Sequence, residues 1–337
     1  MAIKTTVELE QALKARGIPF TKVTPLNAST NFVWRIQAPD SSSTIIKHAE
    51  PYSKDSPDIP ISTDRLDFEK KALEKLLKII PQDDILRLPA LRFYDADDKI
   101  LQISDAGLRT LDEVYRNRML NIPLFGRRIG KWLARLHAST RREETRNAFL
   151  NESAKEAYRK VYDTVPGIFS EWGHDASVVE SINAKYGAFG QSESACVCHG
   201  DFSPENIVAQ SAVAYGFSNH KLTVVDWEMV HDGCGSSDVA QFAADAWLLD
   251  RFKGGRELFG NFLRGYGEGV REGGGEVDDL FKKRAAAHFA AYLTFASTKA
   301  ESVMKEETAQ AIKLGFKILE KVLANDMEFV GTTFPGL

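Results

Sequence analysis

"CVCHGDFSPENIVAQ", residues 196–210, read together with "KLTVVDWEMV", residues 221–230, decides what kind of chain this is. A short apolar run ends on His199-Gly200-Asp201. Asn206 follows Asp201 by five residues, a second apolar run begins at Ile207, and a β-prone run Leu222 to Val225 ends on Asp226. The first stretch alone reads equally well as a capped turn. The order strand, H-G-D-x-x-x-x-N, strand, loop, strand, D matches what phosphoryl transfer from a nucleotide needs: an Asp facing the attacking hydroxyl, then an Asn and a later Asp on Mg²⁺. Mg²⁺ takes hard oxygen ligands and few of them from protein, which suits one amide and one carboxylate on adjoining loops. The base need not be strong, because a loose transition state asks mainly for positioning and charge stabilisation.

Upstream, the chain supplies the parts this reading requires. A helix is expected over 6–16, with Leu9, Ala12 and Leu13 on one face. Strands are expected in "FTKVTPL", "NFVWRIQA" and "STIIKHA", followed by a loop over 51–63, which holds three prolines. A long helix follows in "DRLDFEKKALEKLLKII", and two more strands in "RLPALRFYD" and "KILQISDAG" pair through "DADDK". Lys47, a lone Lys after a β-branched run on the third strand, is placed to meet nucleotide phosphates. Glu69, on the next helix, is placed to pair with it. Each alone reads as a surface charge; their order with Asp201, Asn206 and Asp226 is what carries weight.

From about residue 105 the pattern turns helical, apart from short strands within 196–228. The expected fold class is therefore α+β and bilobal. A small antiparallel β lobe with one long helix spans 1–104, and a larger, mostly helical lobe spans 105–337. The seam near "ISDAG" is the expected small-molecule cleft.

Composition narrows the alternatives. The 337 residues are 43% hydrophobic, enough for two lobes at roughly 100–200 residues per domain. A net charge of −4 with both signs mixed argues against a nucleic-acid binder. Cys196, Cys198 and Cys234 are too few for a disulfide framework and lack zinc spacing, so they read as buried thiols. No apolar run approaches the roughly 18 residues of a membrane span. The first residues lack a signal-peptide core, so a soluble, cytoplasmic protein is expected. The sequence leaves oligomeric state open.

"VCHGDFSPENIV" with "VVDWE" resembles the aminoglycoside phosphotransferase and choline kinase family, whose fold is protein-kinase-like. "NFVWRI", "IIKHAEPY" and "DRLDFEKKAL" resemble the methylthioribose kinase branch, which includes fungal 4-hydroxytryptamine kinases. "LARLHAS" and "GSSDVAQF" are similar to further family segments, and the resemblance runs over roughly residues 22–300. It implies an ATP- and Mg²⁺-dependent kinase acting on a hydroxyl of a small molecule: a methylthioribose-like sugar, an amino alcohol or a hydroxylated aromatic amine. It implies Asp201 as catalytic base, and Asn206 and Asp226 as metal ligands. Lys47 would contact the α and β phosphates, oriented by Glu69. Ser29, Thr30 and Asn31 would lie over the phosphates, and Ile103 to Asp105 would form the adenine hinge. Glu228 would line the metal or substrate side, and Asp238 would tie down the catalytic loop.

One departure stands out. The phosphate-covering turn "LNASTNF", residues 26–32, has no glycine, although backbone N–H groups approach phosphate most easily where no Cβ intervenes. A non-catalytic, pseudokinase-like nucleotide-binding protein is thus the second reading. His137 and His199 are expected to make structural hydrogen bonds. Trp247, Tyr292 and Phe295 are candidate walls for an aromatic or cationic substrate, with Asp245 and Asp250 as acids that would meet an amine. Specificity is expected after residue 236 and on the 51–63 segment.

Overall fold

The computed structural model describes residues 2–80, 85–187, 194–214, 217–299 and 304–337. Helix α1 (Thr6–Ala15) starts at a capping box, in which Thr5 and Glu8 satisfy each other's backbone N–H groups. Strands β1 (Lys22–Pro25), β2 (Phe32–Gln37) and β3 (Ser43–His48) follow. Next come β4 (Tyr52–Ser53), β5 (Ser56–Pro60) and helix α2 (Arg65–Ile79). Strands β6 (Leu86–Arg87), β7 (Leu91–Asp95) and β8 (Ile100–Ser104) complete this part. The main sheet has the order β1-β2-β3-β8-β7, antiparallel throughout.

Strand alternation divides this sheet into two faces. Trp34, Ile36, Ile46 and Ile100 pack with Leu9, Ala12 and Leu13 of α1 in a small separate core. Val33, Arg35, Ile45, Lys47 and Ile103 point the other way and line a cleft. Lys47 pairs with Val33 on one side and Leu101 on the other, so its register is fixed from both neighbours.

Two expectations need correcting. The segment 51–63 is not an open loop, because β4 and β5 form an antiparallel hairpin. Pro57 and Pro60 are tolerated in β5 because it is an exposed edge strand. The run "RLPALRFYD" is also not one strand. Pro89 interrupts it, and β6 joins a different sheet, pairing in parallel with Leu222 and Thr223.

The remainder is built on α3 (Leu111–Val114), α4 (Ile122–Ser139), α5 (Glu143–Arg146), α6 (Glu152–Glu171) and α7 (Ala176–Ile182). Strands β9 (Cys196–Cys198), β10 (Ile207–Ala214), β11 (Phe217–Val224) and β12 (His231–Gly233) carry the loops of interest. Helices α8 (Ser236–Phe252), α9 (Leu258–Glu272), α10 (Asp279–Lys299), α11 (Lys305–Leu323) and α12 (Met327–Thr333) close the fold. Helices α4 and α9 approach closely through glycines. A Cβ on Gly130 would stand 2.1 Å from the Phe262 carbonyl oxygen, and one on Gly265 2.1 Å from that of Arg127. Among the described residues no helix is long and apolar enough to cross a membrane.

Candidate active site

Strand β9 pairs with β12 and delivers the chain into His199-Gly200-Asp201. Gly200 has φ +83°, and a Cβ there would meet the Met229 carbonyl oxygen at 2.1 Å, so only glycine fits. Asp238, at the start of α8, holds this turn. Its Oδ2 accepts from the His199 N–H at 2.8 Å and its Oδ1 from the Gly200 N–H at 3.0 Å. His137 Nε2 lies 3.1 Å from the same Oδ2, and His137 Nδ1 lies 3.0 Å from the Tyr266 hydroxyl. Burial alone would raise the Asp238 pKa; His137 and the backbone donors hold it below the usual carboxylate range. The His199 ring braces the loop as expected: Nε2 meets the Val225 carbonyl at 3.0 Å, and Nδ1 accepts from the Asp201 N–H at 3.3 Å.

The Asp201 carboxylate is gripped on both oxygens. Asn206 Nδ2 donates to Oδ2 at 2.9 Å and to the Asp201 carbonyl at 2.9 Å. Gln241 Nε2 donates to Oδ1 at 2.5 Å and also to the Tyr292 hydroxyl at 3.2 Å. Burial and the neighbouring Asp226 raise the Asp201 pKa, and these amide bonds partly oppose the rise. Asn206 spends its NH₂ on Asp201, which leaves its amide oxygen as the group a cation would meet. The Val225 N–H donates to the Asn206 carbonyl at 2.9 Å, so the β10–β11 pairing sets Asn206 beside Asp226.

Asp226 itself adopts φ +66°, ψ 58°, the left-handed conformation, at the head of a 3₁₀ turn. Asp and Asn tolerate that region better than most residues, and such outliers gather at active sites. Lys47 Nζ bridges to Asp226 and to both oxygens of Glu69, the latter at 2.9 and 2.8 Å. Glu69 is fully buried, in the apolar stripe of Leu66, Ala72, Leu73 and Leu76 on α2. A carboxylate in that position needs a cation, and Lys47 is that cation. Burial opposes the Lys47 charge, yet Asp226, Glu69 and Glu228 outweigh it and raise the ammonium's pKa.

A second network lies alongside. Asn31 donates to Glu228 and accepts from Arg65 Nε at 2.8 Å. Arg65 also donates to the carbonyls of Ser62 at 2.8 Å and Glu50 at 3.0 Å. Burial and the adjacent Asp226 push the Glu228 carboxyl up to about 8. Glu69, Asp226 and Glu228 each offer an oxygen within 4.8 Å of the others. Both Glu69 oxygens are taken by Lys47, so Asp226 and Glu228, with the Asn206 amide oxygen near Asp226, are the hard-oxygen donors that would fit Mg²⁺.

These groups converge on one cleft of about 1520 Å³ between the sheet and the helices. Its wall includes Ser29, Asn31, Lys47, Ile103, Asp105, Asp201, Asn206 and Asp226. Glu69 lies behind Lys47. The Asp105 carboxylate is taken up by Arg35 Nε at 2.6 Å, Ser43 Oγ at 2.7 Å and the Gly107 N–H at 3.0 Å. Asp245, Tyr292 and Phe295 line the cleft, together with Leu248, Leu249 and Phe252. Trp247 is not in this wall; it packs edge-on against Phe252. Asp250 is occupied too, accepting from Tyr115 and from the N–H groups of Leu258 and Phe259 at the start of α9. Sequence reading missed Gln241 and Arg65. Gln241 falls three residues after Asp238, which was its only available signal.

Comparison with known proteins agrees with this architecture. The family model described as "Phosphotransferase enzyme family" matches residues 22–279. The 4-hydroxytryptamine kinase of Psilocybe cubensis is 26% identical over 240 residues, 66% of this chain and 66% of the relative. That of Psilocybe cyanescens is 25% identical over 265 residues, 72% of each chain. Among solved structures, amicoumacin kinase in complex with AMP-PNP and Ca²⁺ superposes with a TM-score of 0.56 at 14% identity, covering 93% of each chain. An ADP-bound aminoglycoside phosphotransferase gives 0.52 at 14% identity, over 94% of this chain and 99% of that one. These structural likenesses establish the protein-kinase-like fold. With the family match spanning more than half its length, the chain belongs to the phosphotransferase enzyme family.

Proposed function

We propose that the protein transfers the γ-phosphoryl group of ATP, with Mg²⁺, to a hydroxyl of a small amine-bearing aromatic molecule. The observation that carries this reading is the convergence of Lys47, Glu69, Asp201, Asn206 and Asp226 on one cleft. In it, Asp201 orients the acceptor hydroxyl and takes its proton. Lys47, steadied by Glu69, meets the α and β phosphates, and Asn206 and Asp226 hold Mg²⁺. When bound, Mg²⁺ neutralises charge on the phosphates. Adenine lies against Ile45 and Ile103, beside the 103–105 hinge.

The amine is supported by Asp245. Its carboxylate makes no hydrogen bond or ion pair with another described residue, and it lines the cleft together with Leu248, Leu249 and Tyr292. Burial, and then the nearby Asp201, raise its pKa well above the usual value. An incoming ammonium relieves both penalties. The two fungal relatives are named as kinases of a hydroxylated aromatic amine.

The test is ADP release on addition of 4-hydroxytryptamine, with and without Mg²⁺. Asp201→Ala and Asp226→Ala are expected to lower turnover about 100- to 10,000-fold with folding intact. Near-wild-type transfer in either variant sinks the assignment. Asp245→Asn is expected to raise the acceptor KM more than it lowers kcat. The second reading, a nucleotide-binding protein without catalysis, rests on the glycine-free turn, and it gains if ATP stabilises the protein but no ADP forms.

A further inference from the structure

The glycine-free turn has an unusual support. Three successive carbonyls are drawn to the β4–β5 hairpin, whose Asp55 also lines the cleft. Ala28 O accepts from Lys54 Nζ at 2.9 Å. Ser29 O accepts from the Asp55 N–H at 2.9 Å and from Ser53 Oγ at 3.0 Å. Thr30 O accepts from the Lys54 N–H at 3.1 Å. The N–H groups of Ser29, Thr30 and Asn31 make no hydrogen bond to another described residue, and these three residues line the cleft.

Successive peptides whose carbonyls are drawn to one side present their N–H groups to the other, and a run of unpaired N–H groups in a concave wall binds anions. The turn also enters β2 at Phe32, directly before Val33, which pairs with Lys47. Its donors therefore overlook the same space as the Lys47 ammonium.

We infer that the hairpin Tyr52–Pro60 is a positioning element of the nucleotide site. It clamps the 28–30 carbonyls so that the turn offers its N–H groups to a polyphosphate without glycine. Glycine achieves this by conformational freedom; here four hydrogen bonds from a neighbouring hairpin impose the conformation. The inference rests on the nucleotide reading above and adds to it the segment that makes the turn competent.

The experiment is calorimetric titration of the full chain with Mg·ATP and, separately, with AMP. Two variants are used. Ser53→Ala/Lys54→Ala removes both side-chain donors, and Asp55→Pro removes a backbone donor. Thermal melting confirms folding, and the double variant carries the test if the proline variant is unstable. Affinity for Mg·ATP is expected to fall about 3- to 30-fold, the range for losing one or two such hydrogen bonds. AMP, which lacks the β and γ phosphates, should change less than about twofold, within the effect of a weak hydrogen bond. Equal weakening of both nucleotides marks the hairpin as merely structural and overturns the inference, as does unchanged Mg·ATP affinity. A wild-type chain that binds neither nucleotide refutes the nucleotide reading itself, and this inference with it.

Discussion

Replacing Asp238 by Asn tests how much of the catalytic geometry hangs on one buried carboxylate. Asp238 accepts three hydrogen bonds: from the His199 N–H and His137 on Oδ2, and from the Gly200 N–H on Oδ1. Asn has one acceptor. Its less costly orientation keeps the oxygen toward His199 and His137 and turns the NH₂ onto the Gly200 N–H, donor against donor. Losing a hydrogen bond to a charged acceptor costs about 1.5–3 kcal/mol, and the two retained bonds weaken as the charge disappears. The sum is about 2–4 kcal/mol, or a melting temperature lower by roughly 3–6 °C for a chain of this size. Gly200 directly precedes Asp201, so turnover of the folded variant should fall about 10- to 100-fold through misplacement of the proposed base. The acid side gives a separate check. The folded pKa of Asp238 lies below its unfolded value, so its contribution is complete above about pH 4 and is lost as pH falls through the folded pKa. The gap in melting temperature between wild type and Asp238→Asn should therefore shrink below about pH 4. Thermal melting across pH, with ADP release as the activity assay, measures both. A melting temperature within about 1 °C of wild type together with turnover within twofold would refute the reasoning.

Three further substitutions probe the neighbouring geometry. Gln241→Glu keeps the side chain's shape but sets an acceptor against Asp201 Oδ1; kcat should fall about 10- to 100-fold with the ATP KM unchanged, and retention of full kcat would show that the amide only fills space. Gly130→Ala forces a Cβ to within 2.1 Å of the Phe262 carbonyl and should destabilise by about 1–3 kcal/mol through separation of α4 and α9. In contrast, Gly260→Ala meets only the tip of the flexible Arg264 side chain and should be neutral or stabilising by about 0.4–1 kcal/mol. Equal melting temperatures for the two variants would contradict the packing described.

Much of the fold and the site is legible in the chain because the relevant order is local. Apolar alternation sets Lys47 on a strand with its face fixed by Ile45 and Ile46. Glu69 shows itself as an acid inside a helical apolar stripe. Asn206 and Asp226 are brought together by one hairpin, whose two strands are adjacent in sequence. The hairpin at 52–60 was less visible, since two prolines in five residues argue against a strand unless its edge is known to be free.

What the sequence determined by itself is the set of candidate site groups and their order: Lys47, Glu69, Asp201, Asn206, Asp226. Each sits in a local pattern whose period or spacing depends only on its near neighbours. Tertiary structure alone decided which groups hold them. Gln241 reaches Asp201 across 40 residues, and Arg65 reaches Asn31 across 34. Lys54 turns the Ala28 carbonyl from a different strand pair. A buried donor takes whichever acceptor packing brings within about 3 Å, and that distance belongs to the folded chain, not to any stretch of it.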